Sequence, residues 1–275
     1  MSTVISIEGP MNSGKSTFGL TIPGKKFIFD LERGSHRATW RFEQADYSVW
    51  KLPADEKPDV STLLFGKGDR IRNKLSLMEL LTTLYVEVLY QPTYSTVIFD
   101  TAKVFWDICT QSYLQEKQEA QLDQRLRALN TTLSNLDPNR LAQIESSIQW
   151  RERLMQMEYG VPNERFRKFI DLARGAGKNL VLVNHIRDEF DTNSVPTGRK
   201  VLDGWSKTLD FVDWGFRSNF EQAQLASNGS QAKAPVFKLT IIKSPLGAAL
   251  VGLTLENPTY PDLVNLVRDM SGQSI

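Results

Sequence analysis

One cysteine, Cys109, stands in the whole chain of 275 residues. That scarcity excludes an internal disulfide and argues against a zinc site built from cysteines. Histidine is nearly as rare: His36 and His185 are the two present, which also speaks against a transition-metal centre. No apolar run reaches the roughly 18 residues that span a bilayer. The opening Met1-Ser2-Thr3-Val4-Ile5 lacks the basic start and long apolar stretch of a secretory signal. The expectation is a reducing, cytoplasmic setting with no membrane partner. Charge of either sign is not in excess, since 33 Lys and Arg face 32 Asp and Glu, for a net +1. A polyanion-binding protein often has a basic surplus, so the balance weakens a nucleic-acid reading. A local groove needs only a few cations, however, and net charge does not choose the partner. Hydrophobic residues at 41% and charged residues at 24% match globular averages, so a buried core is expected. The length permits one large domain or a core with an inserted subdomain.

What is present alternates between strand and helix. Val4-Ile5-Ser6-Ile7 is a short β-branched run, followed by a glycine-punctuated loop from Gly9 to Ser16. A brief helix stops near Pro23-Gly24, and Lys26-Phe27-Ile28-Phe29-Asp30 reads as a second buried strand. Residues 70–90 carry Ile71, Leu75, Met78 and Leu81 near the helical period. Thr96-Val97-Ile98-Phe99-Asp100 and Leu180-Val181-Leu182-Val183-Asn184 are further apolar strands, the latter preceded by a helix over 163–174. Such strands alternating with helices predict an α/β fold, a mainly parallel sheet covered on both faces. Residues 216–220, 236–242 and 249–255 read as later strands, partly antiparallel, with a hairpin loop at 226–233. The polar stretch 188–204, holding Pro196 and Gly198, reads as a mobile loop.

Between residues 107 and 162 the β signal fades. Leu122, Leu126, Leu129, Leu133 and Leu136 are spaced 4-3-4-3, like a coiled-coil seam, until Asp137-Pro138-Asn139 breaks it. Leu141, Ile144 and Ile148 resume a helical stripe. The segment is expected to be a helical hairpin, 107–162, inserted into a core of 1–106 and 163–275. It would be an extra packing layer, or a surface for self-association or DNA contact.

Gly9-Pro10-Met11-Asn12-Ser13-Gly14-Lys15-Ser16 satisfies G-x-x-x-x-G-K-[ST], and Thr17 follows. Glycines let the backbone N–H groups converge on phosphate oxygens, and the following helix adds the positive end of its dipole. Lys15 is expected to reach the β- and γ-phosphates of a nucleoside triphosphate, Thr17 to lie near the α-phosphate, and the Ser16 hydroxyl to ligate Mg²⁺. Asp100, at a strand end, is the expected second Mg²⁺ residue, although buried strands also end in Asp as a turn or cap. Thr101 follows it where many NTPases place a glutamate. The candidate base is therefore Glu32, after the second strand, where it could orient and deprotonate water. The alternative is that Glu32 or Asp30 caps the turn toward Gly34. Asn184-His185 ends another strand at the same edge and could sense the γ-phosphate, or His185 could be a structural hydrogen-bonder.

In order, Gly9 to Thr17, Phe29-Asp30-Leu31-Glu32, Val97-Ile98-Phe99-Asp100-Thr101 and Val183-Asn184-His185 resemble the motifs of the RecA-type ATPase core. Residues 159–166 with 177–185 are similar to phage-encoded RecA-like nucleotide-binding proteins, including the core-only recombinases of the Sak group. The resemblance covers residues 1 to about 220. It implies ATP and Mg²⁺ as ligands, single-stranded DNA as partner, a ring or filament of copies, and a role in phage recombination or replication in the host cytoplasm. A single-strand-binding protein is a further partner it implies. His185 stands where the family has a glutamine, which puts that coupling role in question. The inserted hairpin takes the place of the family's first DNA loop and 187–204 that of the second. Arg187, Arg199 and Lys200 are then candidate phosphate contacts and Trp205 a stacking surface. Lys243, ending a strand similar to one that sends lysines toward a neighbour's ATP, is a candidate trans-acting cation or an ordinary strand-end lysine.

The loop is also very similar to that of the zinc-containing thymidine kinases, which share its Pro-Met. Those enzymes carry four zinc cysteines and Asp-Glu where this chain has Asp100-Thr101. Two other readings stand beside the ATPase: a nucleoside or nucleotide kinase, which needs an acceptor pocket and a basic lid, and a nucleotide-dependent assembly protein with little turnover.

Overall fold

Short β-branched and aromatic runs become the centre of one sheet because both of their faces find apolar cover. The computed structural model describes residues 2–40, 42–52, 71–221 and 236–271. Strands β1 (Val4–Gly9), β2 (Lys26–Asp30), β3 (Tyr47–Lys51), β4 (Thr96–Asp100), β5 (Asn179–Phe190), β6 (Pro196–Asp203), β7 (Trp214–Glu221), β8 (Val236–Lys243) and β9 (Thr254–Glu256) form it. The order is β3-β2-β4-β5-β1-β7-β8-β9, with β6 pairing β5. Pairs from β3 to β7 along that path are parallel, whereas β8, β9 and β6 join antiparallel. The fold is thus α/β with a mainly parallel central sheet, and late antiparallel strands as expected.

Alternate residues of each strand face opposite sides. On one side Ile28, Ile98, Val181, Ile5 and Ile7 pack with Phe18 of helix α1 (Lys15–Leu20), whose ring lies 5.5 Å from Phe216. On the other, Phe29 stacks on Phe99 at 4.8 Å and Phe99 on Phe105 at 4.7 Å. Register decides where the chemistry falls. Gly9 pairs His185 across β1 and β5, and Asp30 pairs Asp100 across β2 and β4, so the ends of β1, β2 and β4 share one edge with His185. His185 does not end its strand as expected, since β5 continues to Phe190 in the hairpin with β6.

The chain divides into two compact units. One comprises Met1–Leu52, Val86–Phe105 and Arg167–Ile275; the other comprises Pro53–Tyr85 and Trp106–Phe166. Helix α2 (His36–Thr39), α3 (Lys74–Tyr90), α4 (Ala102–Ala128), α5 (Pro138–Ser146), α6 (Gly160–Gly175), α7 (Thr208–Phe211) and α8 (Tyr260–Ser271) complete the described elements. Within the second unit, Leu122, Leu126, Ile144 and Trp150 form a small core. Gln115 Oε1 accepts the backbone N–H groups of Lys74 and Leu75, satisfying donors that the first turn of α3 leaves without helical partners.

Several expectations are corrected. The leucine seam ends with α4 at Ala128: Leu129 and Leu133 are each 46% exposed, and Asn130 takes a left-handed φ of 52° that stops the helix. The stretch 188–204 is not a loop but the outer half of the β5–β6 hairpin. Its turn is closed by Asp191, whose Oδ1 accepts the N–H groups of Asn193 and Val195. The third late strand is only Thr254–Glu256, after a 3-10 turn at Gly247–Ala249. Strand β3 and helix α8 add to the elements that the sequence pattern suggests. The hairpin loop expected at 226–233 lies outside the described residues. Among the described residues no helix is long and apolar enough to cross a membrane.

Candidate phosphate-binding and hydrolysis site

The glycine loop connects β1 to α1, and two of its glycines are dictated by neighbours. A Cβ on Gly9 would fall 2.4 Å from the Ser218 carbonyl oxygen. Gly14 adopts φ +81°, and a Cβ there would meet the Phe237 ring at 2.8 Å. Asn12 is also left-handed, at φ 61°, so the loop curls within a few residues. Ser13 Oγ donates to Pro10 O at 2.8 Å, and Ser218 Oγ donates to Ser13 O, bracing the curl from inside and outside. Lys15 Nζ donates to Gly9 O at 3.0 Å and Pro10 O at 2.5 Å. Burial lowers its pKa to about 8, against the opposing pull of Asp100 and Glu32.

Opposite the loop, two carboxylates have separate tasks. Asp100 Oδ2 accepts from Ser16 Oγ at 2.7 Å, and burial raises its pKa. The Asp100–Thr101 peptide is cis. Thr101 Oγ1 donates to Glu32 Oε1 at 2.8 Å, and His185 Nε2 lies 3.0 Å from Glu32 Oε2. These hydrogen bonds, His185 foremost, lower the Glu32 pKa despite burial. Capping belongs to Asp30 instead: it accepts from Gly34 N at 2.8 Å and from Ser35 Oγ at 2.6 Å. Of the two residues that could cap this turn, Asp30 does so, while Glu32 faces the cleft.

Residues 11–17 (Met11, Asn12, Ser13, Gly14, Lys15, Ser16, Thr17), Glu32, Asp100 and His185 line one cleft of about 610 Å³. That lies in the range of small-ligand pockets. Sequence reasoning missed Arg37, Trp40, Phe220, Phe237 and Asn257, which also line it. Nothing short of tertiary pairing brings those residues beside the loop. The donor set fits a Mg–nucleotide: a hydroxyl and a carboxylate supply the hard oxygens that Mg²⁺ takes. The loop supplies the amides and Lys15 that phosphates take.

Other expected residues lie elsewhere. Asn184 is 1% exposed, and its Nδ2 donates to Ser6 Oγ and Leu182 O. Adjacent residues of a strand point to opposite faces, so of Asn184-His185 only His185 lines the cleft, which corrects the expectation of a sensing pair. Trp205 is 7% exposed and stacks on Phe211 at 5.0 Å, so it is corrected from a stacking surface to a core residue. Arg187 sits 3.8 Å from Asp203, Lys200 2.6 Å from Asp188, and Arg199 is exposed on β6. Lys243 Nζ donates to the carbonyls of Leu209 and Asp210, which ties it to α7.

A mainly parallel sheet, a glycine loop running from β1 into a helix, and a Ser16–Asp100 pair across from it define a P-loop nucleotide-binding core. Residues 1–209 match the family described as AAA domain, and the chain belongs to that family of nucleotide-binding, ATPase-type domains. A comparison with curated proteins finds no match.

Proposed function

We propose that the chain is a Mg²⁺-dependent ATPase of RecA type that assembles on single-stranded DNA and supports phage recombination or replication. The observation that carries the hydrolytic part is the posture of Glu32, held by Thr101 and His185 on the cleft that contains Lys15. Each carboxylate oxygen keeps a further lone pair after accepting one hydrogen bond, so Glu32 can orient water while both holders stay in place. A carboxylate held anionic orients water more readily than it removes a proton. The Lys15 amine turns from the Gly9 and Pro10 carbonyls to the phosphate oxygens, where charge grows as the γ-phosphoryl group departs. Ser16 and Asp100 are the residues that would hold Mg²⁺, which supplies charge neutralisation at the phosphates when bound. The DNA partner, the ring or filament of copies and the phage setting rest on the resemblance of the ordered motifs.

The test is ATP turnover with and without single-stranded DNA, alongside mass by light scattering. A rise in rate that accompanies assembly is the expected result. Glu32→Gln should keep nucleotide binding and lose about a hundredfold or more in turnover. DNA-independent hydrolysis in a strict monomer opposes the reading. Turnover indifferent to Glu32→Gln would favour a nucleotide-dependent assembly protein, and phosphate transfer to nucleosides would favour a kinase.

A further inference from the structure

The cleft that holds the phosphate loop has a second kind of lining, supplied by the late strands. Across β7 and β8 the register pairs Phe216 with Ile241, Ser218 with Leu239 and Phe220 with Phe237. Directly opposed residues, and every second residue along a strand, share a face of the sheet. The first two pairs are spent on the fold: Phe216, Ile241 and Leu239 lie in the core, and Ser218 grips Ser13 O of the loop. The third pair continues the same stripe past the edge of the core. Phe237 meets the loop, since a Cβ on Gly14 would fall 2.8 Å from its ring, and Phe220 lines the cleft while 39% exposed. Asn257, just past β9, joins them on the lining. Its Oδ1 accepts the Phe237 N–H at 3.0 Å, and its own backbone N–H donates to Phe237 O at 2.8 Å. A backbone N–H can only donate, so this contact fixes which way the side-chain amide faces. The Asn257 Nδ2 donor is then left beside Phe237 with no hydrogen-bond partner among the described residues. All three residues lie beyond 1–209, the part of the chain that matches the family.

We infer that Phe220, Phe237 and Asn257 form a subsite for the nucleobase, and that it selects purine nucleotides without separating adenine from guanine. The inference rests on the reading of the cleft as a nucleotide site and adds which bases that site accepts. A flat ring system covers exposed aromatic surface beside the loop, and a purine covers more of it than a pyrimidine does. The Asn257 Nδ2 donor asks for an acceptor on the base. Adenine and guanine both carry one at N7, so a single donor does not tell them apart. Preference for adenine would need an acceptor for its amino group, and Asn257 Oδ1 is already engaged by the Phe237 N–H.

The experiment is calorimetry of the full chain in Mg²⁺ with ADP, GDP, CDP and pyrophosphate, the last carrying no base. ADP and GDP should bind within about threefold of each other, and CDP about tenfold more weakly. Phe220→Ala should raise the Kd for ADP about tenfold and leave that for pyrophosphate unchanged, which also shows that the variant keeps its loop. Asn257→Asp keeps an acceptor for Phe237 and tolerates the left-handed φ of 46°, but loses the donor. It should weaken ADP and GDP about fivefold each. A chain that binds neither ADP nor pyrophosphate overturns the nucleotide reading and the subsite with it. Pyrophosphate bound as tightly as ADP, or ADP binding indifferent to Phe220→Ala, overturns the subsite alone. So does a loss in Phe220→Ala that pyrophosphate shares equally, which would assign that ring to holding the loop. CDP bound as well as ADP, or GDP rejected, overturns the purine selection, and an unmoved Asn257→Asp overturns the donor.

Discussion

Asp30 and Glu32 stand two positions apart and do unrelated work. Asp30 closes its own turn with Gly34 and Ser35, while Glu32 is gripped by Thr101, just past β4, and by His185 within β5. Lys15 is the third charged group of this corner, and its surroundings make a sharp statement about protons. Burial lowers its pKa to about 8, below the ordinary lysine value of 10.5. Phosphate oxygens favour the charged amine and so raise the pKa on binding. At pH 8.5 nucleotide binding should therefore take up protons, and affinity should fall as pH rises through and above 8. Calorimetry of ADP binding in buffers of different ionisation enthalpy reads the uptake. An observed heat that does not vary with buffer at pH 8.5 would sink this account of Lys15. The same depression bears on folding: with the charged form disfavoured in the folded state, the stability penalty of burying Lys15 is present below pH 8 and eases as pH rises toward 10.5.

At the scale of elements, what the sequence made legible depended on whether burial leaves a pattern. β2, β4 and β5 carry unbroken apolar runs, and β1 one broken only by the buried Ser6, because both faces of a central parallel strand are covered. The β5–β6 hairpin carries no such run, since its outer residues are mostly exposed, and polar residues with Pro196 then look like a loop. The pattern of apolar runs brings Glu32, Asp100 and Asn184-His185 toward the loop, but strand alternation leaves only His185 of the last pair on the cleft. In the sequence Thr101 stands out only as not being a glutamate; its contact with Glu32 depends on the neighbouring positions of β2 and β4. The leucine seam failed for a different reason: periodicity survives past a helix end, whereas burial lapses at Leu129 and Leu133 and returns only in part at Leu136. This yields a contrast that can be measured. Leu126, 3% exposed in the small core, should cost about 2–5 kcal/mol on replacement by Ala, while Leu129, 46% exposed, should cost under about 0.5 kcal/mol. Urea unfolding of the two variants gives the comparison, and equal losses would restore the continuous seam.

For the molecule as a whole, a net charge of +1 leaves little long-range field to draw a polyanion in. Any affinity for single-stranded DNA must come from local contacts, and their number is then readable from salt. Single strands release counterions with a slope of roughly −0.7 for each phosphate neutralised. The cleft beside the β5–β6 hairpin offers three cations, Arg187, Lys200 and Arg217, so a strand held there should give log affinity against log salt a slope of about −2 for each bound copy. Removing Lys200 should lessen it by about 0.7. Phe190 is exposed on the same lining, so Phe190→Ala should weaken binding at every salt concentration and leave the slope unchanged, because stacking releases no counterions. A strongly basic protein would instead give a steep slope spread over many residues and indifferent to one lysine. A slope much steeper than −2, or one that Lys200→Ala does not move, would mean that the strand is held by another face of the protein.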